Sequence, residues 1–87
     1  TRNTRASRGV KFRDLKRLLS KFGIEWDERR GKGSHGAFAG YSHVTKIKAS
    51  FTLPATQQKD VSKAYLNPLR RKFELTEADG VSDDLFV

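Results

Sequence analysis

Apolar residues recur at intervals of three and four in two stretches of the chain, a spacing typical of amphipathic helices. The first stretch predicts a helix over about 10–22, ended by Gly23, because glycine readily closes the C-terminal end of a helix. The second predicts a helix over about 60–73, and either Asp60 or Ser62 is a suitable cap. Asn67-Pro68 is itself a helix-start signature, so a loose first turn followed by a regular helix from Pro68 also fits the pattern. The apolar positions expected to face the core are Phe12, Leu15, Leu19 and Phe22, then Val61, Tyr65, Leu66, Leu69 and Phe73.

Between the two helices the apolar pattern changes to an alternation with period two, which is typical of half-buried strands. Three strands are predicted, over about 24–30, 35–41 and 45–53, and Pro54 ends the third because proline cannot donate to a strand ladder. Short connections favour an antiparallel meander, with both helices packed on its single apolar face. The predicted fold is therefore α+β with the order α-β-β-β-α.

The connection between the second and third strands sets their register. A turn over about 41–44 pairs Phe38 with Ile47, so that two apolar side chains meet on the core face. The opposite face then carries two alanines and two lysines beside a histidine, which predicts an open cationic strip suited to an extended phosphodiester. The pairs on that face are Ala37 with Lys48, Ala39 with Lys46, and His35 with Ser50.

Charge is distributed unevenly along the chain. Residues 1–73 hold all 18 Lys and Arg against five acids, a net charge of +13, whereas residues 74–87 hold five acids and no base. A body this basic attracts polyanions through counterion release, which favours nucleic acid as the partner. We predict a flexible basic arm over 1–9, one domain over 10–75 and an acidic tail over 76–87. The tail is expected either to be solvated or to fold back over the basic surface, anchored by Leu85-Phe86-Val87.

Composition excludes several classes of site. The chain has no cysteine, and only His35 and His43 offer an imidazole, so neither a disulfide framework nor a transition-metal centre is expected, and no cofactor is expected either. No apolar run is long enough to span a membrane. With 87 residues there is room for one small core and little room for a deep pocket. These features indicate a soluble, intracellular protein without a membrane partner.

The segment richest in chemistry is Gly31-Lys32-Gly33-Ser34-His35, which places one histidine among glycines and cations. Glycine lets the backbone approach a ligand closely, and histidine exchanges protons near neutral pH. The neighbouring cations indicate an anionic ligand such as phosphate. A basic hairpin connection with an ordinary surface histidine is the alternative explanation. The second histidine, His43, falls in the distant turn and is expected to lie on the surface.

One ordered set of motifs spans residues 10–73. It consists of Leu15, Leu18 and Leu19 with Gly23, then Gly33-Ser34-His35 with Phe38, then Phe51-Thr52-Leu53-Pro54, and finally Leu66 and Leu69. In this order the motifs resemble the HicA-type mRNA interferase toxins. The resemblance implies a fold like that of the double-stranded RNA-binding domain and metal-independent cleavage of mRNA by a single histidine, here His35. It also implies a bacterial cytoplasmic protein that is neutralised by a HicB-type antitoxin covering that histidine.

The chain departs from the family pattern in three places. The interval between Gly23 and His35 is longer, by an extra Gly-Lys. Gly36 follows the histidine, where a basic or polar residue is common, so one phosphate contact is missing. The acidic segment beyond Phe73 has no counterpart in the pattern.

The implied chemistry is consistent with the residues present. RNA supplies its own nucleophile, the 2′-hydroxyl, so His35 need only move protons as a general acid or base, which is worth ~10²–10⁴-fold in rate. Cations can stabilise the charged phosphorane without a metal ion. The residues expected to bind the substrate are Arg29, Arg30, Lys32, Gly33, Ser34, Lys46 and Lys48, with Arg70, Arg71 and Lys72 as an alternative RNA surface.

Two other functions remain compatible with the sequence. The first is a non-catalytic double-stranded RNA-binding module, because Lys63-Ala64 resembles a fragment of the lysine-rich phosphate clamp of those modules. The second is a small DNA-binding or ribosome-associated protein held by charge alone. Three strands between the helices disfavour a helix-turn-helix.

Overall fold

The computed structural model describes residues 9–29 and 35–86. Within these ranges three strands pair as an antiparallel meander in the order β2-β3-β4, and a separate two-stranded sheet joins β1 to β5. The two helices contact the three-stranded sheet, so the predicted α+β fold is confirmed. None of the described helices is long and apolar enough to cross a membrane. The elements are β1 (Val10–Lys11), α1 (Phe12–Ser20), β2 (Glu25–Asp27), β3 (Gly36–Tyr41), β4 (Lys48–Leu53), β5 (Asp60–Val61) and α2 (Lys63–Lys72).

The first helix begins later than predicted, because the residues before it are used in a strand. Val10 pairs with Val61, and Lys11 pairs with Asp60, whose carboxylate lies 3.0 Å from the lysine ammonium. Gly9 has φ +87° and a Cβ there would overlap the Val61 carbonyl, so only glycine fits this close approach. The short β1–β5 sheet therefore ties the start of α1 to the chain just before α2.

The end of α1 follows the prediction. Gly23 adopts φ +79°, its amide donates to the Ser20 carbonyl at 3.0 Å, and the Ile24 amide donates to the Leu19 carbonyl at 2.9 Å. These bonds use carbonyls that the last helical turn leaves free. The predicted apolar stripe is also present: Phe12, Leu15 and Leu19 are buried and Phe22 is half-buried.

The predicted register between β3 and β4 is wrong by four residues. Phe38 pairs with Phe51 and not with Ile47. The cause is the connection, which spans residues 42–47 and is longer than the predicted turn. Ser42 is buried at its start, where its amide donates to the Ile47 carbonyl and its hydroxyl accepts from the Ile47 amide, both at 2.9 Å. The observed pairs on the opposite face are Ala37 with Thr52, Ala39 with Ser50, and Tyr41 with Lys48.

An aromatic cluster fills the core beneath the centre of the sheet. Trp26 meets Phe12 and Phe38 edge to face, with ring centroids 4.8 and 4.9 Å apart. Its indole lies against Gly36, where an added Cβ would come within 2.3 Å of the ring carbon Cζ2. Among the described residues the Trp26 Nε1 donor has no hydrogen-bond acceptor. A glycine at position 36 is therefore required by the core, and it lies immediately beside His35.

The second helix is continuous through its proline. It starts at Lys63 with Ser62 in the cap position, so the alternative of a regular helix beginning only at Pro68 is wrong. Proline lacks the N–H that would bond the carbonyl of Ala64. Ala64 is exposed, so water can take the place of that donor. The buried face of α2 includes Leu66 and Leu69.

The acidic segment after α2 is part of the folded core and not a solvated tail. Leu75, Val81 and Phe86 are buried, and two short 3-10 turns, Glu77–Asp79 and Asp83–Phe86, connect them. Arg70 extends from α2 into this segment. Its Nε donates to the Leu75 carbonyl at 2.9 Å, and its guanidinium lies 2.7 Å from Asp83 and 4.2 Å from the centre of the Phe86 ring. Of the two expectations for this segment, the folded-back tail is closer to the structure than the solvated tail. Phe86 is the buried anchor, whereas Leu85 is exposed.

Candidate functional site

His35 is the first described residue after position 29, and it lies directly before β3, the central strand of the sheet. It is exposed. Phe38 points into the core, so alternation along the extended chain places residues 37, 39 and 41 on the outer face, away from the helices. Continued back to position 35, the same alternation places His35 on the outer face. The imidazole is therefore accessible to a large ligand.

The strand residues that the register places beside position 35 on the outer face are polar or acidic. Asp27 on β2 and Thr52 on β4 lie opposite Ala37, which is buried between them. Both are diagonal neighbours of position 35, a relation that corresponds to ~7–8 Å between residues. Glu25 lies one pair further along β2, opposite Ala39. Carboxylates, not lysines, therefore line this part of the face beside His35.

Part of the predicted substrate-binding set lies outside the described residues. This part comprises Arg30, Lys32, Gly33 and Ser34. Arg29 is exposed in the turn after β2, where its amide donates to the Asp27 carboxylate at 2.9 Å. This bond fixes the direction of the chain as it leaves β2 towards the segment that precedes His35.

The two lysines of the predicted strip are not beside the histidine. Lys48 pairs with Tyr41 at the opposite end of β3, six residues from His35, which corresponds to ~20 Å of extended chain. Lys46 lies in the preceding connection with φ +61°, outside any strand. The longer connection moves both lysines away, and the cationic strip beside the imidazole is not formed.

Lys48 instead joins two cations of α2. An open groove of about 240 Å³ lies where the start of β4 meets the C-terminal end of α2. Its lining includes Lys48, Arg71 and Lys72, together with Ile47 and Glu74. The sequence identifies the helix end as basic, but only the register shows that Lys48 belongs with it. We call this surface the distal groove.

Glu74 forms hydrogen bonds with the 42–47 connection, which lines one side of the distal groove. Its backbone adopts φ +57°, and its Oε1 accepts hydrogen bonds from the Val44 amide at 3.0 Å and the Thr45 amide at 2.7 Å. The Thr45 hydroxyl also donates to this carboxylate, at 3.0 Å to Oε1. The backbone bond from Thr45 is the largest of the effects that lower the pKa of Glu74 below its ordinary value of 4.5. The carboxylate is thus engaged by the 42–47 connection.

His43 lies in the predicted turn, at the opposite end of β3 from His35. It is half-buried, its ring meets Phe22 edge to face at 5.1 Å, and its amide donates to the Phe73 carbonyl at 2.8 Å. These contacts give His43 a role in packing the connection against both helices. His35 and His43 do not form a pair for proton transfer.

In the described part of the chain, no three His, Cys, Asp or Glu side chains are grouped as ligands of a metal ion. Comparison of the chain with protein-family models, with curated protein sequences and with solved structures gave no match in any of the three.

Proposed function

We propose that this chain is an endoribonuclease that cleaves mRNA with His35 as its proton-transfer residue, and that it is the toxin of a type II toxin–antitoxin pair. The observation that carries the proposal is the position of His35, exposed at the start of the central strand and directly after a glycine-rich basic segment. The two helices and the three-stranded sheet follow one another in the order α1-β2-β3-β4-α2, which is the order that the resemblance to HicA-type toxins implies and which supports the proposal.

The proposed reaction uses the RNA as its own nucleophile. The 2′-hydroxyl oxygen attacks the adjacent phosphorus, and the bond from phosphorus to the 5′-oxygen of the next nucleotide breaks. His35 accepts the 2′-hydroxyl proton or donates a proton to the leaving 5′-oxygen, a role worth ~10²–10⁴-fold. The products are a 2′,3′-cyclic phosphate and a 5′-hydroxyl end. Because the nucleophile is in the RNA, the proposed reaction needs no metal ion.

Asp27 holds the start of the segment that leads from β2 towards His35. It lies on the neighbouring strand as a diagonal neighbour of position 35, and its Oδ1 accepts the Arg29 amide. The cations nearest in sequence, Arg29, Arg30 and Lys32, are the proposed contacts to the phosphate.

The test is cleavage of a labelled RNA by purified protein. We expect His35→Ala to abolish cleavage without unfolding the chain, because an exposed residue outside the core contributes within ±0.5 kcal/mol to stability. The matched control is His43→Ala, which removes the other imidazole at the opposite end of the strand and should leave cleavage in place. Added EDTA should have no effect. Undiminished cleavage by His35→Ala contradicts the proposal.

The proposed partner is a HicB-type antitoxin in the bacterial cytoplasm. Since His35 is exposed, a protein that covers it excludes RNA from the site directly. Expression of the wild-type chain should arrest growth, whereas expression of His35→Ala should not. Tight binding of duplex RNA by the wild-type protein without any cleavage favours the alternative function, a non-catalytic double-stranded RNA-binding module.

A further inference from the structure

We infer that the distal groove binds the phosphodiester backbone of the RNA substrate, about 20 Å from His35, and that Tyr41 stacks on a base beside it. The inference rests on the proposed function and adds to it a second contact region for the same strand. It changes the expected footprint of the enzyme from one phosphodiester to a segment of several nucleotides.

The charge of the groove is suited to a polyanion. Lys48, Arg71 and Lys72 contribute three cations to one open surface, and Lys46 is exposed in the adjoining connection. The acid that lines the groove, Glu74, already accepts hydrogen bonds from the 42–47 connection. Its carboxylate oxygens are therefore directed to the protein's own donors, while the three cations line open space.

A base-stacking platform lies next to these cations. Tyr41 is 57% exposed and pairs directly with Lys48 across the outer face of the sheet. An exposed aromatic ring beside a basic groove is the usual combination for single-stranded RNA, because stacking tolerates any base and the cations follow the backbone.

The outer face connects His35 to Tyr41 and Lys48, and Lys48 borders the groove at the edge strand β4. Between His35 and Tyr41 the path passes the small residues Ala37, which is buried, and Ala39. Ser50 and Thr52 lie beside it on β4, and Glu25 and Asp27 lie beside it on β2. No large side chain of β3 therefore interrupts the strip. At ~3.4 Å per stacked nucleotide, the ~20 Å between the two ends corresponds to about six nucleotides.

A protein ligand is the competing occupant, because Val44 and Ile47 are also exposed in the 42–47 connection. An acidic peptide with apolar side chains would contact both the cations of the distal groove and these two exposed apolar side chains. The pairing of the aromatic ring with Lys48 and the shared face with His35 favour RNA. The groove variant should lose affinity for RNA if RNA is the ligand, and should lose affinity for the peptide alone if a protein is the ligand.

The experiment measures the salt dependence of binding to a 2′-O-methyl RNA 12-mer, which lacks the nucleophile and stays intact. The groove variant combines Lys48→Gln, Arg71→Gln and Lys72→Gln in the full chain. Losing three phosphate contacts should reduce the slope of log K against log salt by ~2, so that its affinity deficit shrinks about 20-fold between 50 and 200 mM salt.

The matched control removes the same charge elsewhere, with Arg17→Gln, Lys59→Gln and Lys63→Gln, all at exposed positions outside the groove. A second pair of variants tests stacking: Tyr41→Ala should weaken 12-mer binding ~5–150-fold and Tyr41→Phe should not. Thermal melts of every variant verify that the chain is folded.

The outcomes separate this inference from the proposed function. Equal slopes for the groove and control variants overturn the inference, and so does a larger loss in the control, which places the RNA at Lys63. Retained RNA affinity with lost binding of a peptide of alternating Glu and Leu also overturns it, in favour of a protein ligand. In each of these cases the proposed function is still supported if the wild-type chain cleaves RNA and the cleavage depends on His35. Absence of wild-type cleavage refutes that function instead.

Discussion

Phe86 gives the sharpest test of the finding that the acidic C-terminal segment belongs to the core. The perturbation is Phe86→Ala, and the matched control is Leu85→Ala in the adjacent position. Phe86 is 2% exposed and Leu85 is 49% exposed, although both lie in the same short 3-10 turn. The two substitutions therefore share local backbone and differ in burial.

The free energy of unfolding lost in Phe86→Ala depends on the contacts of the phenylalanine ring. Removing a buried phenylalanine side chain costs ~3–5 kcal/mol, because the lost transfer free energy is joined by the cavity left behind. Phe86 also covers the Arg70 guanidinium at 4.2 Å, an interaction worth about 0.5–2 kcal/mol. That contribution is included in the total, since the alanine variant loses both together. Leu85→Ala should stay within about 0.5 kcal/mol.

The assay is urea unfolding followed by tryptophan fluorescence. With a slope of ~1–3 kcal/mol/M, a loss of about 4 kcal/mol lowers the midpoint by ~1.3–4 M. Since a chain of this size has ~4–13 kcal/mol of total stability, truncation after Phe73 should abolish folding. Equal midpoints for Phe86→Ala and Leu85→Ala would refute the assignment of this segment to the core.

Two further substitutions test the structure around each end of β3. Gly36→Ala forces a Cβ to within 2.3 Å of the Trp26 indole, so we expect ~1–3 kcal/mol of destabilisation in urea unfolding. The tryptophan emission should change as well. An unchanged unfolding midpoint contradicts the close approach of Gly36 to the indole. Glu74→Gln should lower the melting temperature above pH 4.5, where the carboxylate is ionised and holds the Thr45 amide. Because folding lowers the pKa of Glu74, this stabilisation is complete above the ordinary value of 4.5 and is lost as the pH falls through the folded-state pKa. The difference between wild type and Glu74→Gln should therefore shrink on acidification below pH 4.5, and a constant difference from pH 7 to pH 3 contradicts the role of the ionised carboxylate.

Local periodicity predicts the elements well because each is determined by short-range patterns. The apolar stripe of α1, its stop at Gly23 and the alternation in the strands each concern residues within one or two turns of one another. The core positions of both helices follow from the same spacing. The order α-β-β-β-α then follows from short connections.

Register is not determined locally, and it is where the sequence prediction fails. Pairing Phe38 with Ile47 satisfies the apolar pattern as well as pairing it with Phe51 does, since a shift of four residues keeps every side chain on its face. The choice depends on the 42–47 connection, which Ser42 and Glu74 stabilise by hydrogen bonds across 5 and 29–30 residues of sequence. No pattern within β3 or β4 contains that information.

The same failure explains the candidate site. His35 is identified by its own motif and is exposed as expected, whereas the cations assigned to it by register are ~20 Å away. The charge of residues 76–87 predicts an acidic tail but does not show that Arg70 pairs with Asp83 or that Phe86 is buried. The sequence pattern does not show that Arg70 is buried, because its partner Asp83 lies 13 residues further along the chain and is brought to it only by the fold.

The central claim is that His35 moves a proton in a reaction whose nucleophile is the RNA 2′-hydroxyl. The most direct measurement maps the cleaved bond in a labelled RNA 12-mer, then repeats the assay, in EDTA, with a single 2′-deoxynucleotide on the 5′ side of that bond. We expect a 2′,3′-cyclic phosphate at the cut end of the all-ribose RNA and no cut at the substituted position. We also expect no cut in either RNA by His35→Ala. Cleavage at the deoxy-substituted bond, or by the His35→Ala protein, contradicts the account.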